Sequence, residues 1–142
     1  MSTAPPTVAG HVLPGGHYLI SPAEAAELQH LALSPREGVH PAHATIISLR
    51  SLGVSIGGLC ELCDFDLADG PFLGELSIEF HEDLQTDIDY RVSARIDSLT
   101  RHASRQLGLL DKLAFSVSIQ RADGHPVSDL RYLWILPQGH ST

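Results

Sequence analysis

Apolar and polar positions alternate in three stretches of the second half of the chain. Leu76, Ile78 and Phe80 alternate with Glu75, Ser77, Glu79 and His81. Tyr90, Val92, Ala94 and Ile96 alternate with Arg91, Ser93, Arg95 and Asp97, and Leu113, Phe115, Val117 and Ile119 with Lys112, Ala114, Ser116 and Ser118. A period of two predicts strands over 75–81, 89–99 and 112–121, each with one face on a core and one face wet. A fourth strand, over 129–136, ends in Leu133-Trp-Ile-Leu136, apolar on both faces, and so is expected at the centre of the sheet or at an interface. Asp123-Gly124 predicts a tight hairpin between the last two strands. The first half reads differently. Ser21 as N-cap, Pro22 at the first helical position and Glu24 three residues after the cap predict a helix, with Ala25, Leu28, Leu31 and Ala32 on its apolar face and Pro35 beyond its end. Residues 40–59 predict one long helix that is apolar nearly all round, through Ile46, Ile47, Leu49, Leu52, Val54, Ile56 and Leu59, with Gly57 and Gly58 as stop signals. Such a helix is wrapped by other structure. The expected fold is therefore α+β, an antiparallel sheet wrapped around one long central helix. The Pro- and Gly-rich residues 1–16 read as an N-terminal arm, and 17–138, opening with a short strand at His17–Ile20, as a single domain.

Composition narrows the function classes. The chain of 142 residues carries a formal net charge of −8, with 9 Lys and Arg against 17 Asp and Glu. No basic cluster is present to track phosphates, so nucleic acid is not an expected partner. No apolar run reaches 18 residues, and Met1-Ser-Thr-Ala-Pro-Pro-Thr7 lacks a basic and an apolar leader segment, so no membrane span or secretory signal is expected and a cytoplasmic location is. Cys60 and Cys63 form a lone C-x-x-C at the end of the long helix. One pair does not close a tetrahedral zinc shell, and thioredoxin-type pairs open a helix rather than close one. The pair reads as two small, half-buried thiols or as a redox pair. Asp64, Asp66 and Asp69 are out of register with a calcium loop, whose Gly and closing Glu are missing. No metal and no resident cofactor is expected.

The C-terminal part resembles a known family in four segments: Gly74-Glu-Leu-Ser-Ile-Glu-Phe-His-Glu-Asp-Leu84, Asp89-Tyr-Arg-Val-Ser-Ala-Arg-Ile-Asp-Ser-Leu99, Phe115-Ser-Val-Ser-Ile-Gln-Arg-Ala-Asp-Gly-His-Pro-Val127 and Tyr132-Leu-Trp-Ile-Leu-Pro137. Over about residues 40–137 it is similar to the MaoC-like dehydratases, and in particular to members related to fatty-acid synthase dehydratase domains. The resemblance implies the hot-dog fold and an acyl thioester substrate, carried on coenzyme A or acyl carrier protein. It implies a lyase that hydrates an enoyl thioester or dehydrates a 3-hydroxyacyl one, and a homodimer, or a heteromer with another hot-dog subunit, whose acyl tunnel lies at the interface. The chain departs from the family where its catalytic members carry Asp-x-Asn-Pro-x-His. The matching stretch here is Ser34-Pro-Arg-Glu-Gly-Val-His-Pro-Ala-His43, shorter and without that motif; Ala42-His43-Ala44 resembles the family's Ala-His-Gly entrance.

The residues at the helix entrance can still form an acid–base set. Hydration of an enoyl thioester needs a base for water, an acid for the α-carbon and donors for the thioester oxygen. Glu37, His40 and His43 are the candidate catalytic residues, because Glu37 and His40 lie three apart in a turn and could share a water. Backbone N–H groups of Ala44 and Thr45 are candidate donors to the carbonyl. Arg91 and Arg95 are candidate substrate-binding cations at a tunnel mouth, with Arg101 and Arg105 beside them. The alternative for the histidines is passive capping of the helix start. The other two functions open to the chain are a non-catalytic hot-dog subunit that shapes a partner's acyl tunnel, and an acyl-coenzyme A thioesterase.

Overall fold

A computed structural model describes residues 4–139; His140, read from the sequence as part of a tail, lies outside the described residues. The elements in order are β1 (Val12–Leu19), α1 (Pro22–Leu31), α2 (His43–Arg50), α3 (Ile56–Leu62), a single 3-10 turn (Leu67–Asp69), β2 (Phe72–Phe80), β3 (Asp89–Ser104), β4 (Gly108–Arg121) and β5 (Pro126–Gly139). The strands form one antiparallel sheet in the order β1-β3-β4-β5-β2. The four strands expected in the second half are all present and longer than their alternating cores. The β4–β5 turn is the Asp-Gly hairpin: Gly124 has φ +91°, its N–H donates to Arg121 O, and the His125 N–H donates to the Asp123 side chain. The inner face presents Val92, Ile96, Phe115, Val117, Leu130 and Tyr132 to the helices, and the alternate positions of the same strands face outward. Phe115 stacks on Tyr132 at 4.8 Å and meets Trp134 edge-on at 5.5 Å.

The expected long helix over 40–59 is two helices. α2 ends at Arg50, and Gly53 (φ +82°) turns the chain before Ser55 caps α3, its Oγ accepting from Gly58 N at 2.9 Å. The cause is a crossing chain. β1 passes over the break, where Gly15 N–H donates to Leu52 O at 2.9 Å. A side chain at Gly53 would stand 2.6 Å from Pro14 and 2.7 Å from the Gly15 backbone. Gly57 and Gly58 therefore lie inside α3 and not at a helix end. Hydrophobic density predicts burial but not continuity, and here the buried apolar run is folded back on itself. The first strand is also longer than the His17–Ile20 expected for it. It starts at Val12 and carries a bulge at Pro14-Gly15, which lets a Pro sit in an edge strand.

α1 begins as its sequence predicts, with Ser21 Oγ accepting from Glu24 N at 3.0 Å and Pro22 in the first turn. Its buried stripe differs from the expected one. Ala25 and Gln29 are buried, while Leu31 is 69% exposed. Cys60 and Cys63 are fully buried free thiols, more enclosed than the sequence suggests, and burial pushes the Cys63 thiol up to about 12. Beside them Arg101 grips the buried Asp111 with two hydrogen bonds, at 2.7 and 3.0 Å, and Gln138 Nε2 donates to the same carboxylate at 3.1 Å. No helix among the described residues is long and apolar enough to cross a membrane.

Candidate functional site

The candidate residues are brought together in part. Glu37 and His40 share one surface cleft of about 510 Å³, formed by the loop between α1 and α2 against Gln29 of α1 and Asp83-Leu84 after β2. His43 lines a different cleft, of about 470 Å³, between α1 and α2. The two imidazoles lie three residues apart in sequence and face different surroundings.

His40 is fixed by the backbone of the turn that leads into α2. Its Nδ1 accepts a hydrogen bond from the Ala42 N–H at 3.0 Å. A neutral imidazole whose Nδ1 accepts must carry its proton on Nε2, so His40 offers the cleft an N–H donor. Glu37, exposed on the same loop, offers carboxylate acceptors. A hydrogen-bond donor and a carboxylate thus line one cleft at the entrance of the central helical region.

His43 is held the opposite way. It is fully buried, and its Nε2 lies 3.0 Å from Glu24 Oε2. The same oxygen accepts from the Tyr18 hydroxyl at 2.5 Å, and Arg50 Nη1 donates to that hydroxyl at 3.2 Å. Burial and the Glu24 hydrogen bond hold the Tyr18 phenol above its ordinary range. With Nε2–H given to a carboxylate, Nδ1 of His43 is left as an acceptor, and it has no partner among the described residues. The cluster staples β1, α1 and α2 together through Tyr18, Glu24 and His43.

Two further expectations are corrected by geometry. The Ala44 and Thr45 N–H groups are not free to polarise a carbonyl. Ala44 N donates to Pro41 O at 3.0 Å and Thr45 N to Ala42 O at 3.1 Å, and Ala44 is fully buried. The tight turn at Pro41-Ala42 consumes the donors that a freely exposed helix start would offer. Arg91 and Arg95 lie on the outer face of β3, away from the helices. Arg95 donates from Nε to Asp97 at 3.1 Å, and Arg91 is in register with His17. Arg101, considered beside them, is engaged with Asp111. The cations that line the two clefts are instead Arg36 and Arg50.

Glu24 was legible only as a capping residue. A capping-box glutamate turns back to the cap N–H, whereas this one spends its carboxylate on His43 and Tyr18. Gln29 left a clearer signal: four residues after Ala25 it falls on the same helix face, so a polar amide is predicted where an aliphatic side chain would pack.

No protein-family model matches the chain, and no curated protein matches it by sequence. Solved structures do match it in fold. A MaoC-like dehydratase from Rhodospirillum rubrum superposes with a TM-score of 0.63 at 11% identity, covering 94% of each chain. A chain of the ChsH1-ChsH2 complex from Mycobacterium tuberculosis gives 0.64 at 13% identity, over 92% of this chain and 84% of that one. A chain of the HadBC (3R-hydroxyacyl-ACP dehydratase) complex from the same organism gives 0.58 at 13% identity, over 90% and 96%. At these identities the likeness is one of fold, and it agrees with the fold implied by the sequence segments. The chain is a hot-dog domain, built as the MaoC-like dehydratases are built.

Proposed function

We propose that the protein is a dehydratase or hydratase of acyl thioesters, carried on coenzyme A or acyl carrier protein, working in the cytoplasm at the Glu37–His40 cleft. The observation that carries the reading is the Ala42 N–H bond to His40 Nδ1, which leaves a donor at Nε2 beside a carboxylate on the same loop. In the dehydration direction Glu37 takes the α-proton, the C–H electron pair forms the double bond, and the β-carbon–oxygen bond breaks. Glu37 passes that proton to the departing hydroxyl, which leaves as water, while His40 keeps its Nε2 proton and donates a hydrogen bond to the same oxygen as its charge develops. Hydration runs the same steps in reverse. His43 is assigned to holding the start of α2, through Glu24 and Tyr18.

The reading includes a second hot-dog subunit. β2 is an edge strand with Phe72 45%, Leu73 52% and Phe80 43% exposed, so its free edge is a template for another strand, with Glu75, Glu79 and a bulge between Leu73 and Glu75 interrupting the apolar row. The opposite edge, β1, carries Pro14 and a bulge. The solved ChsH1-ChsH2 and HadBC complexes support such a partner. They also favour the second reading, a non-catalytic subunit of a heteromer, which the missing Asp-x-Asn-Pro-x-His motif suits as well.

The test is an assay of the purified protein with crotonyl-coenzyme A and a long-chain enoyl-coenzyme A. Loss of absorbance from the conjugated double bond, with a gain of one water by mass, is the expected outcome. Free thiol release instead would assign a thioesterase. Silence of the folded protein with both substrates would select the non-catalytic reading.

A further inference from the structure

The Glu37–His40 cleft is also lined by a buried amide. Gln29 is 7% exposed and sits on the buried face of α1, next to Ala25. Its Nε2 donates to Gly38 O at 3.1 Å, on the loop that carries Glu37 and His40. That bond fixes which way the amide points, because the opposite orientation would set two oxygens against each other. The carbonyl oxygen Oε1 is buried and has no hydrogen-bond partner among the described residues. A buried acceptor without a donor is unusual in a folded chain and asks for an explanation. Gln29 also lines the cleft, so a donor brought by a ligand could reach it from there.

We propose that Gln29 recognises the substrate's 3-hydroxyl group, Oε1 accepting the hydroxyl hydrogen while His40 Nε2–H donates to the hydroxyl oxygen. This rests on the reading of the cleft as a dehydratase site and adds the group that selects its substrate. The pairing is chemically selective. A hydroxyl has one hydrogen to give and lone pairs to receive, and it alone satisfies both partners. A 3-oxo group accepts from His40 but leaves Oε1 unpaired, and a methylene satisfies neither. A site built around a buried hydrogen bond rejects the analogue that cannot make it far more strongly than an apolar pocket rejects a small change in shape. The same arrangement holds the leaving oxygen on the His40 N–H that stabilises its developing charge.

The donor could also be an amide N–H of the pantetheine arm, and the experiment separates the two. Calorimetry would compare 2,2-difluoro-3-hydroxybutyryl-coenzyme A with 2,2-difluorobutyryl-coenzyme A. Neither has an α-hydrogen, so neither is dehydrated, and both carry the same pantetheine amides. The wild-type protein is expected to bind the hydroxylated ligand about tenfold more tightly, the worth of one good hydrogen bond. Gln29→Met, nearly isosteric, should weaken only the hydroxylated ligand and erase the preference. Gln29→Glu keeps an acceptor but loses the amide N–H to Gly38, and should retain the preference. If Gln29→Met weakens both ligands equally, or changes neither, Gln29 serves the loop or the pantetheine arm and the inference is overturned while the cleft stands. If the wild-type protein binds neither ligand, the cleft itself has been misread and the inference falls with it.

Discussion

His40 and His43 enter the same helix three residues apart, yet the structure gives them opposite chemistry. His40 spends Nδ1 on a backbone N–H and lines a cleft with an N–H left to donate. His43 spends Nε2 on Glu24 and keeps a buried, unpartnered acceptor. One ring is anchored by its own turn, the other by Glu24 of α1, whose carboxylate Tyr18 of β1 also holds. The difference lies entirely in which ring nitrogen the neighbours claim. An imidazole bonded only to local backbone stays available for chemistry, whereas one bonded to a carboxylate from another element becomes part of the packing.

The sharpest way to break the comparison is to remove each ring in turn. His40→Ala should lower kcat for enoyl-coenzyme A hydration by about 10²–10³, the usual worth of a positioned hydrogen-bond donor. Its cost in stability should be about 1 kcal/mol, as for loss of a helix-start cap. His43→Ala should do the reverse. It opens a cavity in a fully buried site and strips Glu24 of a partner, for about 2–4 kcal/mol of destabilisation. The urea midpoint should fall at unchanged slope, with kcat within a few-fold of the wild type. Equal loss of activity in the two variants would erase the distinction between the clefts. A smaller effect sharpens it: Tyr18→Phe removes the hydroxyl between Glu24 and Arg50 and should cost about 1 kcal/mol in the same titration, without touching the His40 cleft.

These contacts also mark where the sequence was readable. Alternation located β2 to β4, because each strand packs one face on a common core and the period survives any tertiary arrangement, and the apolar run Leu133-Trp-Ile-Leu136 located β5. The Ser21-Pro22 start of α1 was readable for the same reason, since a cap is satisfied within three residues. The helix over 40–59 was not, because the break at Gly53 is imposed by Pro14 and Gly15 of β1, far from it in the chain and invisible to a local window. The site divides along the same line. Glu37 and His40 share a loop and their common cleft was foreseeable from spacing. The Glu24–His43 pair spans 19 residues and two elements, and the outward turn of Arg91 and Arg95 depends on which face of β3 the helices cover.

The smallest expected effect comes from an exposed imidazole–carboxylate pair, which serves as the control for the buried Glu24–His43 pair. His81 Nε2 lies 2.9 Å from Asp129 Oδ2 on the outer face, and Ser118 Oγ donates to Asp129 Oδ1 at 2.7 Å. The hydrogen bond to Asp129 holds the His81 imidazolium above its ordinary range, and the bonds from His81 and Ser118 hold the Asp129 carboxyl below its own. A histidine raised in the folded state adds stability that is fully present below its unfolded pKa, about 6.5, and is lost as pH rises through the folded value. A carboxylate depressed in the folded state adds stability that is present above its unfolded pKa, about 3.9, and is lost as pH falls through the folded value. The pair is therefore worth most between about pH 4 and 6.5. Thermal melts of wild type and His81→Gln should differ most near pH 5.5 and converge near pH 8.5, with the gap shrinking as salt screens an exposed pair. A gap that persisted unchanged at pH 8.5 would mean that His81 contributes through packing rather than charge, which would place it with His43 and not with a solvated ion pair.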